Sequence, residues 1–260
     1  MPSLIEGLSI IEIGFLASLA AGLATGVGAL PVFFPIKITS RTQDAMLGGA
    51  AGVMLAATSF SLIVPAIEHG GGGVEGALAV VVGMLGGAIA LDLMDKYAPH
   101  EHFIKGREGG VSGTLARVWL FVIAITLHNF PEGLAVGVGF GGGDVANGTA
   151  LAVGIGLQNV PEGLAVAISL LGGGYSKLGA FFVALLSGLV EPIGGLLGIS
   201  IVQLMQFILP YGLAFAAGAM LFVISDEIIP ETHRRGYERV ATYAVVIGFL
   251  IMMFLDNTLG

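Results

Sequence analysis

Apolar stretches of about twenty residues recur from one end of this 260-residue chain to the other, and only 11% of its residues are charged. Wound as an α-helix, such a stretch matches the hydrocarbon core of a bilayer. A water-soluble domain carries about twice that share of charged residues, and a mean hydropathy of +0.95 excludes one here. Inside lipid every backbone N–H and C=O needs a partner, which leaves helices or a closed barrel. The runs are continuous rather than alternating, so the spans read as helices and not barrel strands. The fold class expected is an all-α integral membrane protein.

Eight spans are expected, at roughly 8–30, 44–67, 74–96, 115–140, 146–171, 177–203, 210–231 and 238–258, forming a single polytopic domain over residues 1–260. Lys37 and Arg41 fall between the first two spans, and Lys96, Lys105, Arg107 and Arg117 flank the connection between the third and fourth. Lys177 lies between the fifth and sixth, and Arg234, Arg235 and Arg239 between the seventh and eighth. All ten basic residues thus sit in odd-numbered connections, which the positive-inside rule makes cytoplasmic. Both termini are then outside, in a cell (plasma or inner) membrane. A miscount of one internal span would have put downstream charges on the wrong side. The longest connection, 97–114, holds Pro99, His100, Glu101 and His102 and is expected to be a mobile cytoplasmic loop. Glu6 and Glu12 without a basic n-region argue against a cleaved signal peptide. The chain has no cysteine, so thiolate ligands are excluded.

Glycine, with 43 copies, would weaken helices in water, but in lipid it lets helix backbones approach closely. Gly48, Gly49, Gly52, Gly83, Gly86, Gly87, Gly188, Gly194 and Gly195 are read that way.

Chemistry is concentrated in a repeated segment. His128-Asn129-Phe130-Pro131-Glu132-Gly133-Leu134-Ala135-Val136 returns thirty residues later as Gln158-Asn159-Val160-Pro161-Glu162-Gly163-Leu164-Ala165-Val166, identical at seven of nine positions. One helix and one turn separate the copies, so they run in opposite directions and can face each other at one depth. Residues four apart share a helix face, which stacks His128 over Glu132 and Gln158 over Glu162, with Asn129 and Asn159 bordering. Each proline removes an amide donor and is expected to bend its helix, freeing the carbonyls of Leu127 and Leu157. Proline- and glycine-interrupted helices in paired positions point to a transporter's binding site.

A lone carboxylate at mid-membrane costs about 2.5–3.5 kcal/mol or more. Two facing glutamates would repel, and Glu191, before Pro192 in span six, adds a third. No lysine or arginine lies deep in any span to neutralise them. A divalent cation is the economical partner, and one imidazole among carboxylate and amide oxygens suits Zn²⁺, Fe²⁺, Mn²⁺ or Cd²⁺.

With HNxPEG in span four, QNxPEG in span five and Glu-Pro in span six, the chain resembles the ZIP (Zrt-, Irt-like protein) family of divalent-metal transporters, above all its bacterial, Bordetella-type branch. The resemblance covers essentially the whole chain. It implies spans one to three and six to eight as inverted repeats around spans four and five, and import of metal into the cytoplasm. It implies one metal position at His128, Glu132, Gln158 and Glu162, and a neighbour at Asn129, Asn159, Glu132, Glu162 and Glu191. Met54 matches a position that can add a thioether. Gln158 stands where many members have a second histidine, and Asn159 where close relatives can have aspartate, which weakens the second position. The family's long His-rich loop is reduced to His100 and His102. A homodimer is a further implication of the resemblance.

Plainer roles compete. His128, Glu132 and Glu162 could form a helix-packing hydrogen-bond network, Gln158, Asn129 and Asn159 interhelical glue, Glu191 a turn cap and Met54 core filler. Asp226 and Glu227 would line an exit route or relay protons, while Glu231 and His233 read as an ordinary cytoplasmic helix end. Asp92 and Asp95 reach the inner interface, and Glu68 and His69 mark the outer end of span two, an entrance or a solvated end. An intramembrane metalloenzyme is the first rival, although H-E-x-x-H is missing and no separate base stands out. A metal-selective channel or receptor on the same fold is the second. The expected partners are the divalent ion and the lipid bilayer, with no nucleic acid and no cofactor beyond the transported metal. A net charge of −8 with no basic residue outside suits cation capture.

Overall fold

A computed structural model describes residues 7–35, 38–97, 100–102, 106–108 and 114–259. Helix α1 (Ile10–Ala29) starts at a capping box, Ser9 accepting from the Glu12 amide while the Glu12 carboxylate accepts from Ser9, and runs into a 3₁₀ turn at Leu30–Phe33. Helix α2 (Ser40–Ala56), capped by Thr39, continues through a π-helical segment (Ala57–Ile63) into α3 (Val64–His69). Next come α4 (Gly73–Tyr97), α5 (Thr114–Gly141) and α6 (Val145–Gly172), the last capped by Asp144. Helix α7 (Lys177–Gly188) breaks at Leu189–Val190 and resumes as α8 (Glu191–Leu204). Helix α9 (Leu209–Val223) passes through a second π segment (Ile224–Ile228) into α10 (Ile229–Thr232), and α11 (Glu238–Leu259) closes the chain.

Seven segments of the described chain are long and apolar enough to cross a membrane: Ile10–Phe33, Ser40–His69, Gly73–Met94, Val145–Gly172, Lys177–Leu204, Gln206–Thr232 and Glu238–Leu259. Their outward faces are apolar: Val74, Val82 and Leu85 on α4, and Tyr243, Ile247 and Phe254 on α11, are all more than half exposed. Surfaces of that size and character belong in lipid. The chain is a multi-pass helical membrane protein.

Two features depart from the sequence reading. The connection 97–114 is not only loop: β1 (His100–His102) pairs antiparallel with β2 (Gly106–Glu108), His100 opposite Glu108 and Glu101 opposite Arg107. Pro99 and Lys105 lie outside the described residues. Further, α5 and α6 each continue as one α-helix through Pro131 and Pro161. The irregular backbone lies instead in the two π segments and at Leu189–Val190.

Among the described residues the four most extensive helix pairings are α2 with α11, α4 with α9, α1 with α6, and α5 with α8. They sort the spans into two groups, one holding α2, α4, α9 and α11 and the other α1, α5, α6 and α8. Small residues make the contacts possible. A Cβ added to Gly52 would lie 2.0 Å from the Val245 carbonyl oxygen, one on Gly87 2.0 Å from that of Phe215, and one on Gly194 2.4 Å from that of Phe130. A Cβ on Gly86, by contrast, would be in ordinary contact only, at 3.8 Å, and Gly49 makes its close approach through its own carbonyl, which lies 2.1 Å from where a Cβ on Gly248 would stand.

Candidate metal centre

The two copies of the repeated motif lie on α5 and α6, and four-residue spacing turns His128 with Glu132, and Gln158 with Glu162, to one place. All four line a cavity of about 170 Å³ between the two helix groups. Met54 from α2 and Glu227 from the second π segment line it from the other side. The motif glycines set the depth of packing. A Cβ on Gly133 would lie 2.0 Å from the Glu191 carbonyl oxygen, and one on Gly163 1.9 Å from that of Thr25. The residue after each glutamate therefore presses α5 onto the start of α8, and α6 onto α1.

The side chains are deeply buried: His128 is 7% exposed, Glu132 2%, Gln158 1%, and Asn129, Asn159 and Glu191 are fully enclosed. Gln158 Nε2 donates to Glu132 Oε1, joining the two copies. His128 Nε2 lies 3.0 Å from Glu227 Oε1. Asn159 Nδ2 donates to Glu191 Oε1 at 2.6 Å and to the Ala21 carbonyl at 2.8 Å. Glu132 Oε2, Gln158 Oε1, Asn159 Oδ1, Glu162 Oε1, Glu191 Oε2 and both amide atoms of Asn129 are buried without a hydrogen-bond partner among the described residues. Each such atom costs about 1–3 kcal/mol, and native proteins keep few of them. Here they gather in one spot, and nearly all are oxygens. Like charge aggravates the cost, because Glu132, Glu162 and Glu191 lie within electrostatic reach of one another. An imidazole and several buried oxygens with excess negative charge can bind a borderline divalent cation. Among the described residues no three histidine, aspartate or glutamate side chains converge tightly enough to hold an ion as they stand. In this arrangement His128 turns to Glu227 and Gln158 to Glu132.

The cavity runs from the motif toward the end of the molecule that carries Arg235, Glu231 and Gln43. Arg235 Nη1 donates to Asp44 Oδ1 at 3.0 Å and to Gln43 Oε1 at 3.1 Å, and its Nη2 donates to Glu231 Oε1 at 2.5 Å. Glu231 also holds Arg234, its Oε2 2.6 Å from Nε. Glu231 does lie in the last helical turn of its span, as expected from sequence, but it is a buried, ion-paired cavity residue there. The (i, i+4) spacing of Glu231 and Arg235 was a usable signal, but Asp44, from the distant end of α2, was not. His233 does sit at an ordinary helix end, its Nδ1 3.0 Å from the Ile229 carbonyl oxygen.

Asp226 shares the π segment with Glu227 but does not line the cavity. Glu68 and His69 are exposed at the end of α3, where His69 borders a separate hollow with Gln206 and Phe207. Asp256, in the apolar run of α11, was passed over in the sequence, and it accepts a hydrogen bond from Ser61 Oγ in the first π segment. A carboxylate directly after Met252-Met253-Phe254-Leu255 was the available cue.

Comparison with known proteins gives a consistent result. The family model described as ZIP zinc transporter matches residues 99–256. The chain is 47% identical over 251 residues to the zinc transporter GufA of Myxococcus xanthus, covering 95% of this chain and 99% of that protein. It is 46% identical over 262 residues to the zinc transporter ZIPB of Bordetella bronchiseptica, covering 98% and 85% respectively. The zinc transporter ZIP11 of Homo sapiens is 38% identical over 321 aligned positions, covering 91% of this chain and 94% of that protein.

Proposed function

The chain belongs to the ZIP zinc transporter family, and from that premise we propose that it carries Zn²⁺, or a related divalent ion such as Cd²⁺, Fe²⁺ or Mn²⁺, into the cytoplasm through the buried centre. The observation that carries the reading is that His128, Glu132, Gln158 and Glu162 all line one cavity, which extends to Arg235. These four form the ion position, with Met54 beside them and Asn129, Asn159 and Glu191 behind. The basic end is cytoplasmic by the positive-inside rule, so the arrangement is open inward. Behind the motif, Asn129, Asn159 and Glu191 are fully enclosed, which favours a carrier over a channel. Because the cavity lies between the two helix groups, rocking one against the other would expose the same ligands to the opposite side.

Eight spans with both termini outside complete the topology, α5 being the span that joins the seven others. An inverted repeat is supported by a matched irregularity. The π segment Ala57–Ile63 is followed by Val64-Pro65, and the π segment Ile224–Ile228 by Ile229-Pro230. Spans two and seven cross in opposite directions, so the paired bulges stand toward opposite faces of the membrane. Glu227, opposite His128, is the first group an inward-bound ion would meet.

Radiometal uptake into proteoliposomes, with competition among Zn²⁺, Cd²⁺, Fe²⁺ and Mn²⁺, tests the reading. Uptake should saturate with metal and be lost in Glu132→Ala and Glu162→Ala. Unchanged uptake in both variants would show the site to be elsewhere.

A further inference from the structure

The buried amides of the second motif copy are held in different ways. Gln158 Nε2 faces a single acceptor, Glu132 Oε1. Rotating that amide by half a turn sets its Oε1 beside one carboxylate oxygen only, and an ion in the cavity that both oxygens line would relieve that contact. Asn159 has no such freedom. Its Nδ2 meets both Glu191 Oε1, at 2.6 Å, and the Ala21 backbone carbonyl, at 2.8 Å. A carbonyl oxygen can only accept, so the atom facing it must be the nitrogen. Turned over, Asn159 would set oxygen against two acceptors with no proton between them, in a fully enclosed site. Two N–H groups therefore stand where a cation between Glu191 and residue 159 would have to sit.

We infer that Asn159 is an internal substitute for a second cation: it ties Glu191 of α8 and the Ala21 carbonyl of α1 to α6, and the centre takes one divalent ion per chain. The single ion occupies the cavity-facing set of His128, Glu132, Gln158 and Glu162, so the inference rests on the proposed function and leaves out the neighbouring position that the family resemblance implies. Asn159 is a positioning residue. Its amide supplies the partial positive charge that Glu191, buried beside two other carboxylates, otherwise lacks. A carboxylate at position 159 would reverse this, because it would face Glu191 and the Ala21 carbonyl as an acceptor among acceptors. Only a bound cation could relieve that arrangement.

The test counts Cd²⁺ ions bound to the purified full chain in detergent, by elemental analysis and native mass spectrometry. Ions belonging to the centre are those lost on Glu132→Ala, which subtracts any held by His100 and His102. One ion per chain is expected in the wild type and two in Asn159→Asp. Two centre-bound ions in the wild type would overturn the inference, and so would one ion in an Asn159→Asp protein that elutes as folded. If Asn159→Asp does not fold, the wild-type count decides alone. If Glu132→Ala loses no ion while Asn159→Asp gains one, the proposed ligand set fails and the role of Asn159 stands.

Discussion

Gly163→Ala offers a demanding test of how the centre is built. The added Cβ would lie 1.9 Å from the Thr25 carbonyl oxygen, 2.7 Å from its carbon and 3.0 Å from its Cα. An ordinary carbon–oxygen contact needs roughly 3.4 Å, so α1 and α6 must part by about 1.5 Å. Both sides of the clash are helix backbone, and no rotamer change can relieve it. The cost should reach the upper end of the overpacking range, about 3 kcal/mol. Glu162 is the preceding residue and moves with the helix. A displacement of about 1 Å between reacting partners can cost about a hundredfold in rate, and the loosened pairing of Glu162 with Glu132 should lower zinc uptake by ten- to a hundredfold. Two glycines of the same helix serve as controls. A Cβ on Gly156 has its nearest neighbour at 3.8 Å, and one on Gly172 has nothing within 4 Å. Gly156→Ala and Gly172→Ala should stay within about 0.5 kcal/mol of wild type or gain slightly in helix stability. Thermal unfolding in detergent, followed by radiozinc uptake normalised to folded protein, measures both effects. Equal melting and uptake for all three variants would refute the close-packing account of the motif glycine.

Three further outcomes are expected. Arg235→Ala strips a cation from fully enclosed Asp44 and from Glu231; since the arginine side chain is itself a quarter exposed, the loss should be about 2 kcal/mol rather than the larger value of a wholly buried pair, and a double-variant cycle with Asp44→Ala should show strong non-additivity in melting. Glu227→Gln removes the charge facing His128 while keeping all four proposed ligands, so binding of one Cd²⁺ should persist while uptake falls several-fold, read as a drop in maximal rate at saturating metal. Ser61→Ala deletes the donor to Asp256 and leaves that carboxylate part-buried, which should cost about 1–2 kcal/mol in thermal unfolding, with Ser61→Thr recovering most of it.

Much of the centre was legible in the sequence because it depends on spacing alone. Four residues make one helical turn, so His128 with Glu132 and Gln158 with Glu162 had to share faces, and an offset of thirty brought the copies together. Long-range partners were not legible. Nothing near Glu231 in the chain announces Asp44, and the pairing exists only because the start of α2 lies beside α10. Glycine was read correctly in kind but unevenly in place. Gly49, Gly52, Gly87 and Gly194 make the expected close contacts, Gly86 does not, and Gly133 and Gly163 were taken as motif letters although they pack as closely as Gly52 and Gly87. The prolines misdirected the reading of backbone irregularity. A proline within an α-helix costs one hydrogen bond and can be absorbed, as at Pro131 and Pro161. Pro65 and Pro230 instead follow π segments whose extra residue leaves no mark in composition.

Each π segment amounts to one residue inserted into a helix that otherwise keeps its course. An α-helix advances about 100° per residue, so excising a single residue between Ile224 and Ile228 would turn everything beyond it by that angle. Glu231 and Arg235 would swing away from the cavity they now line, and Asp44 would lose the side chain that reaches across to it. The phase of the inner mouth relative to the ion site is therefore stored in the length of span seven rather than in the identity of any side chain along it. A substitution in that stretch leaves this phase unchanged, while an insertion or deletion of one residue re-indexes the whole exit.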